Sequence, residues 1–207
     1  MEIVLIEQFN NVLKNIDKTH KPNLFLHVCC APCSSAVLYK LHDYFNIYII
    51  YYNPNIDTQD EHKKRLDELY KLLDLTKYYI PIIYNEYDHN EFLNKIQGYE
   101  NEPEGGERCK LCFEQRLLYS YDVAKKYIND NNLQNYDNYL CTTLSISPHK
   151  DAKLIYDIGK TICNESDIMY LPSDFKKEDG FLISIRLAKK YNLYRQNYCG
   201  CEFSKLN

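Results

Sequence analysis

The sequence predicts an α/β protein, a single domain over residues 1–207 built on a parallel sheet with helices on both faces. Three observations predict it. Short apolar runs alternate with amphipathic stretches along the whole chain, the signature of strand–helix–strand units. The runs are continuously apolar, as strands covered on both sides are. At 207 residues the chain can build one well-packed core but is short for two.

The elements follow in order. Residues 1–20 read as a helical extension with Ile3, Ile6, Phe9, Leu13 and Ile16 on one side. This segment has mixed charges, no basic start and no small-residue cleavage site, so it is not a signal peptide. "NLFLHV" (23–28) is a strand that ends in a cysteine turn. Val37, Leu38, Leu41 and Phe45 give a helix over 35–45, and "IYIIYY" (47–52) a second strand stopped by "NPN". Leu66, Leu69, Tyr70 and Leu73 mark a helix over 58–74. "YIPIIY" is a third strand that Pro81 confines to a beginning or an edge. A helix over 109–127 runs through Phe113, Leu117, Ser120, Ala124 and Tyr127. "NYLCTTL" and "IMYLP" are further strands, and 180–191 is a late helix. "YENEPEGGER" (99–108) reads as a loop, not a domain linker.

Composition narrows the function classes. No run of about eighteen apolar residues occurs, so no transmembrane helix is expected and the predicted location is cytoplasmic. The net charge is −4, with 10 basic and 16 acidic side chains in residues 1–104 and 15 and 13 in the rest. A general polyanion binder would be basic throughout. Any nucleic acid is therefore expected at a local site built by the second half. Nine cysteines in a reducing compartment point to metal binding or catalysis rather than structural disulfides. Cys141 and Cys163 stand alone and read as small buried hydrophobes.

The other seven fall into three groups. "HVCCAPCSS" carries Cys29, Cys30 and Cys33 directly after the first strand, where nucleotide-binding sheets place a glycine-rich phosphate loop. "RCKLC" sets Cys109 and Cys112 at i and i+3, on one side of a helix start. There the helix N-terminus is expected to lower thiol pKa values. About eighty residues separate the two groups, unlike a compact zinc knuckle. Four thiolates gathered across a sheet suit an iron–sulfur cluster or zinc. In "YRQNYCGCEFS", Cys199 and Cys201 flank Gly200. They could close a strained, easily reduced disulfide, ligate a second metal, or be surface thiols.

Two polar stretches complete the candidate edge. "LSISPHKD" offers Ser147 as an N-cap with Pro148 at the first helical position. Such a helix end, helped by His149 and Lys150, can hold a phosphate or simply be capped. "LPSDFKKEDG" adds Asp174 and Lys176, and "YDHNEF" adds Asp88, a carboxylate that could equally cap the following helix.

The ordered set "HVCCAPCSS", "YYNPNI", "EPEGGERCKLCFEQRL", "TTLSISPHKD", "LPSDFKK" and "LYRQNYCGCEFS" closely resembles the cobalamin-independent epoxyqueuosine reductase family, QueH. The similarity runs from about residue 23 to residue 204. It implies a fold related to the nucleotide-binding HUP and PP-loop domains. It implies reduction of the epoxide of epoxyqueuosine, at the wobble position of tRNAs for Tyr, His, Asp and Asn, to queuosine. A [4Fe–4S] cluster maps by motif onto Cys29, Cys30, Cys109 and Cys112, and a redox-active pair onto Cys199 and Cys201. Cys33 matches the motif without an assigned role.

The chemistry suits these residues. Removing an epoxide oxygen as water takes two electrons and two protons, and one cluster passes electrons singly. A second redox element is expected, either the Cys199/Cys201 dithiol or an iron ion held by thiolate and Asp. Asp174, Asp88 and His149 are the candidate proton donors. Ser147, His149, Lys150, Lys176 and Arg195 are the candidate anticodon-loop contacts, and an external electron donor is required. The rival enzyme class is a cluster-dependent tRNA sulfur transferase of the PP-loop type, which would need an ATP-activating loop where the cysteine turn stands. A zinc-stabilised RNA-binding module or iron–sulfur sensor is the non-enzymatic alternative.

Overall fold

The computed structural model describes residues 2–205. Five short strands form one parallel sheet, β1 (Asn23–His27), β2 (Asn46–Tyr51), β3 (Ile82–Tyr84), β4 (Asn138–Thr142) and β5 (Ile168–Tyr170), in the order β3-β2-β1-β4-β5. This is the order of doubly wound sheets, which change winding direction between their first and fourth strands. β1 is the central strand and all five of its residues are buried. At its start Asn23 Nδ2 donates to Asn138 Oδ1 (3.0 Å), which fixes β1 and β4 in register away from the carboxyl edge.

The helices are α1 (Glu2–Asn15), α2 (Ala31–Leu41), α3 (Gln59–Thr76), α4 (Asn90–Lys95), α5 (Glu107–Asp130), α6 (Ala152–Ile162) and α7 (Gly180–Lys190). On one face Phe9, Val37, Leu38, Leu69, Leu72 and Ala188 of α1, α2, α3 and α7 pack on Leu24, Leu26 and Ile49. On the other, Phe113, Leu117, Ala124, Ile155 and Ile158 of α5 and α6 pack on Phe25, Ile50 and Leu140. The expected two-sided sheet is present. A third small cluster joins Phe92 and Ile96 to Cys112 and Cys201.

Boundaries shift where local chemistry decides them. α2 starts four residues earlier than the apolar spacing predicts, because Pro32 fits the first turn and Cys30 takes the extended N-cap position (φ −166°). The third strand shrinks to Ile82–Tyr84, with Pro81 just before it at the sheet edge. On α3 the buried face is His62, Arg65, Leu69, Leu72 and Leu73, whereas Tyr70 is exposed. Ile3 lies outside the described side chains; of the other predicted contacts of α1, Phe9 is buried against Phe175.

His62 stacks obliquely on Tyr51 and Tyr87 inside this face. Burial, reinforced by Arg65, depresses its pKa to about 4. The unfolded chain, with an ordinary histidine near 6.5, then binds one proton more than the folded chain between about pH 6.5 and 4. Stability is lost as pH falls through that window, by about 1.4 kcal/mol per pH unit where the difference is one full proton. His62→Phe is expected to flatten this part of the acid limb in thermal unfolding measured against pH.

Candidate active site

The carboxyl edge of the sheet gathers three chain segments. The turn after β1 presents Cys29, Cys30 and Cys33, whose sulfur atoms all lie within 4.8 Å of one another. The start of α5 presents Cys109 and Cys112. The tail after α7 brings Cys199 and Cys201 back to the same edge. Two adjoining cavities result. One of about 140 Å³ is lined by Cys109, Cys112, Cys199 and Cys201, and one of about 360 Å³ by Cys29, Cys33, Arg116 and Cys199. His149 and Lys150 line both.

The tail has little regular structure and is held by side chains of α3. Arg65, buried against Glu61 at 2.7 Å, donates through Nη1 to the Cys199 carbonyl (3.1 Å). Tyr194 O–H reaches the Glu61 carboxylate, its backbone N–H reaches Glu68, and Lys71 donates to the Asn192 carbonyl. Tyr198 O–H donates to Asp57 (2.9 Å). Gly200, at φ +131°, passes so close to Arg65, Asn55 and Ile56 that a Cβ would stand 3.2 Å from each. Both the backbone angle and the clearance favour glycine there.

Arg116 lies beneath the cavities, 1% exposed. Its Nη2 donates to Asn53 Oδ1 (2.6 Å), its Nε to His27 Nε2 (3.3 Å) and its Nη1 to Cys112 Sγ (3.9 Å). Asn53 in turn donates to the Val28 carbonyl just before the cysteine turn (2.9 Å). The guanidinium therefore ties β1, β2 and α5 together under the thiols. Sequence reading passed over it, although its position four residues after Cys112 puts it on the cysteine side of α5.

The thiols are not equivalent. Hydrogen bonds from Cys30 and then Cys33, with Arg116 and Lys150 nearby, hold the Cys29 pKa well below the ordinary thiol value. Donating to Cys29 pushes Cys30 up to about 12 and raises Cys33 as well. Burial raises Cys109, and pushes Cys112 to about 12 and Cys201 to about 11. The expected lowering at the α5 N-terminus is thus overturned for Cys109 and Cys112, because desolvation outweighs the helix end. Burial works against the charge of Lys150, but the sulfurs of Cys199, Cys29 and Cys33 outweigh it and raise its pKa.

Several sequence expectations change here. Cys199 and Cys201 are not linked to each other here and have different surroundings: Cys201 packs against Phe92, Ile96 and Cys112, while Cys199 lines both cavities. Ser147 does not cap the following helix. Asp151 does, accepting from the N–H groups of Lys153 and Leu154, so a carboxylate fills the place proposed for a phosphate. Ser147 and Arg195 instead line the larger cavity. Asp174 is buried in an ion pair with Lys176 (2.8 Å) and lines neither cavity, so this pair is neither a ready proton donor nor a free phosphate contact. Asp88 is exposed and accepts from the backbone and side chain of Asn90 in a local turn just ahead of α4, whose N-cap is His89 rather than Asp88. Cys141 and Cys163 are buried, as expected.

The donors fit a thiolate-bound metal group. Sulfur is the ligand of soft and iron–sulfur sites, and Cys33 joins Cys29 and Cys30 in the tightest group. Asn55 Oδ1 and Gln196 Oε1, on the walls of the two cavities, are buried without a hydrogen-bond partner. No helix among the described residues is long and apolar enough to cross a membrane.

Comparison with known proteins agrees with this edge. The family model "Epoxyqueuosine reductase QueH" matches residues 24–207. Proteins named epoxyqueuosine reductase QueH from Staphylococcus epidermidis and Streptococcus pyogenes are 38% and 35% identical over 90% and 89% of the chain, covering 77% and 71% of theirs. The Thermotoga maritima protein of that name is 31% identical over 88% of this chain and 90% of its own. The three cysteine groups, the closing tail and the matched residues place the chain in one family: it belongs to the epoxyqueuosine reductases of the QueH type.

Proposed function

We propose that this chain reduces epoxyqueuosine in tRNA to queuosine. The observation that carries the reading is the convergence of six thiols from three segments on two adjoining cavities at the sheet's carboxyl edge, with Cys30 buried beside Cys29 and Cys33, in a member of this family. The same observation argues against sulfur transfer, because cysteines occupy the turn after β1 where an ATP-activating loop would stand.

Cys29, Cys30, Cys109 and Cys112 would hold a [4Fe–4S] cluster, with Cys33 within reach of the first two. When bound, that group supplies electrons one at a time. Cys199 and Cys201 complete the count: oxidation of the dithiol to a disulfide releases two electrons and two protons. Reduction of the epoxide to the alkene consumes two of each and releases water. His149 lines both cavities, which supports it as the group that passes a proton to the leaving oxygen. Lys150 keeps its charge among the sulfurs and stabilises negative charge that develops there. Arg195 and Ser147 line the larger cavity, which supports them as contacts to the RNA backbone. A [4Fe–4S] centre without a second iron suffices for this balance; an iron ion at the Cys199/Cys201 pair is the other way to supply the second electron.

The test is conversion of tRNA carrying epoxyqueuosine to queuosine-tRNA by anaerobic protein and a chemical reductant, followed by nucleoside mass spectrometry. Conversion without cobalamin or ATP is expected. Strict dependence on either one would move the protein to another class.

A further inference from the structure

Arg116 is buried, and a guanidinium does not give up its proton inside a protein. Buried charges of this kind are ordinarily matched by carboxylates. Arg65, equally buried on the other face, has Glu61. Arg116 has no carboxylate ion pair among the described residues, and its nitrogens meet an amide, an imidazole and a thiol. The imidazole brings no negative charge: its Nδ1 meets Thr142 Oγ1 (2.7 Å), and its Nε2 lies within reach of both Arg116 Nε (3.3 Å) and the Tyr52 carbonyl (3.1 Å). The one anion-forming group that bonds it directly is a sulfur, Cys112 Sγ; Cys29, Cys33 and Cys199 line the same cavity, as does Glu104.

We propose that Arg116 is the fixed counter-charge of an anionic thiolate centre and a positioning residue that favours the form of the centre carrying one more electron. The proposal rests on the reading that these thiols hold a one-electron centre. Reduction by an external donor adds one electron and one negative charge, and no bond is formed or broken. A positive charge held beneath the centre and shielded from water favours that form.

The experiment compares wild type, Arg116→Met and Arg116→Lys, reconstituted anaerobically, with iron and sulfide counted. Each is titrated with dithionite and followed by visible absorption. Arg116→Met is expected to lower the reduced-to-oxidised ratio at fixed potential about tenfold, a midpoint drop of about 59 mV for one electron. Arg116→Lys, which keeps the charge, is expected to stay near wild type. An unchanged midpoint in Arg116→Met would overturn the proposal even if thermal stability fell, since a purely structural role moves stability alone. Should Arg116→Met not fold, Arg116→Lys decides: a near-wild-type midpoint supports the charge, and a tenfold loss refutes it. A wild type that binds no iron overturns the cofactor reading and this proposal together, whereas iron retained with an unmoved midpoint overturns this proposal alone.

Discussion

Cys112→Ala protein should leave anaerobic reconstitution colourless and inactive, where the wild type is brown and holds about four irons and four sulfides per chain. Cys112 is 8% exposed, fixed on α5 and in contact with Arg116. Its loss removes a soft donor that water cannot replace in that apolar corner with Phe92 and Ile96. It also leaves the guanidinium without its nearest sulfur. The fall in turnover should exceed the roughly 10–100-fold that loss of an outer-shell partner costs a metal site. Cys109→Ala should behave alike. Iron, sulfide and visible absorption decide the matter: a full cluster in both variants would refute the assignment of α5 as a ligand helix.

Cys199→Ala and Cys201→Ala should stay brown, still bind tRNA and make no queuosine. The reason is stoichiometric. A one-electron centre alone delivers half of what the epoxide needs, and neither variant can form the disulfide whose formation releases the two electrons and two protons required. The geometry agrees, since Cys199 faces both cavities and Cys201 borders the one that Cys109 and Cys112 line. Single-turnover assays separate this defect from weak binding. Loss of colour would make the two thiols ligands, and full turnover would make them bystanders. Protein isolated in air should gain two titratable thiols on mild reduction, because an i,i+2 disulfide is strained and reduces readily. A thiol count that reductant leaves unchanged points instead to a pair held by metal.

The sheet could be read from the sequence because its strands are continuous apolar runs, which a one-sided sheet would not show. The cysteine edge could be read because thiols in three groups have few structural uses in a reducing compartment. What escaped was set by contacts distant in sequence. Arg116 and Arg65 look like helix-surface charges, and only the fold reveals them as buried under the thiols and along the tail. Asp174 looked free because its partner Lys176 lies two residues away in an irregular segment, where no helical or strand spacing announces a pair. Ser147 was a reasonable cap, but a single turn of 3-10 helix over Thr143–Ile146 delays the next helix until Asp151 can cap it. Asp88 was legible as a carboxylate used locally, in its hydrogen bond to Asn90, although the cap itself falls one residue later on His89.

The segment that carries Cys199 and Cys201 is attached by Arg65, Glu61, Glu68, Lys71 and Asp57 rather than by a strand ladder. Freeing it breaks those side-chain bonds, the backbone bond from Asp57 N–H to the Gly200 carbonyl and the packing of Cys201 on Phe92 and Ile96, and leaves the sheet whole, so its detachment is a local opening and not global melting. The two halves of the thiol site therefore differ in permanence. One is cast into the sheet edge and the first turns of α2 and α5; the other is latched on and can be unlatched. A protein built this way can lose its dithiol to a single backbone cut between Asn192 and Tyr198 while its core still unfolds as one unit.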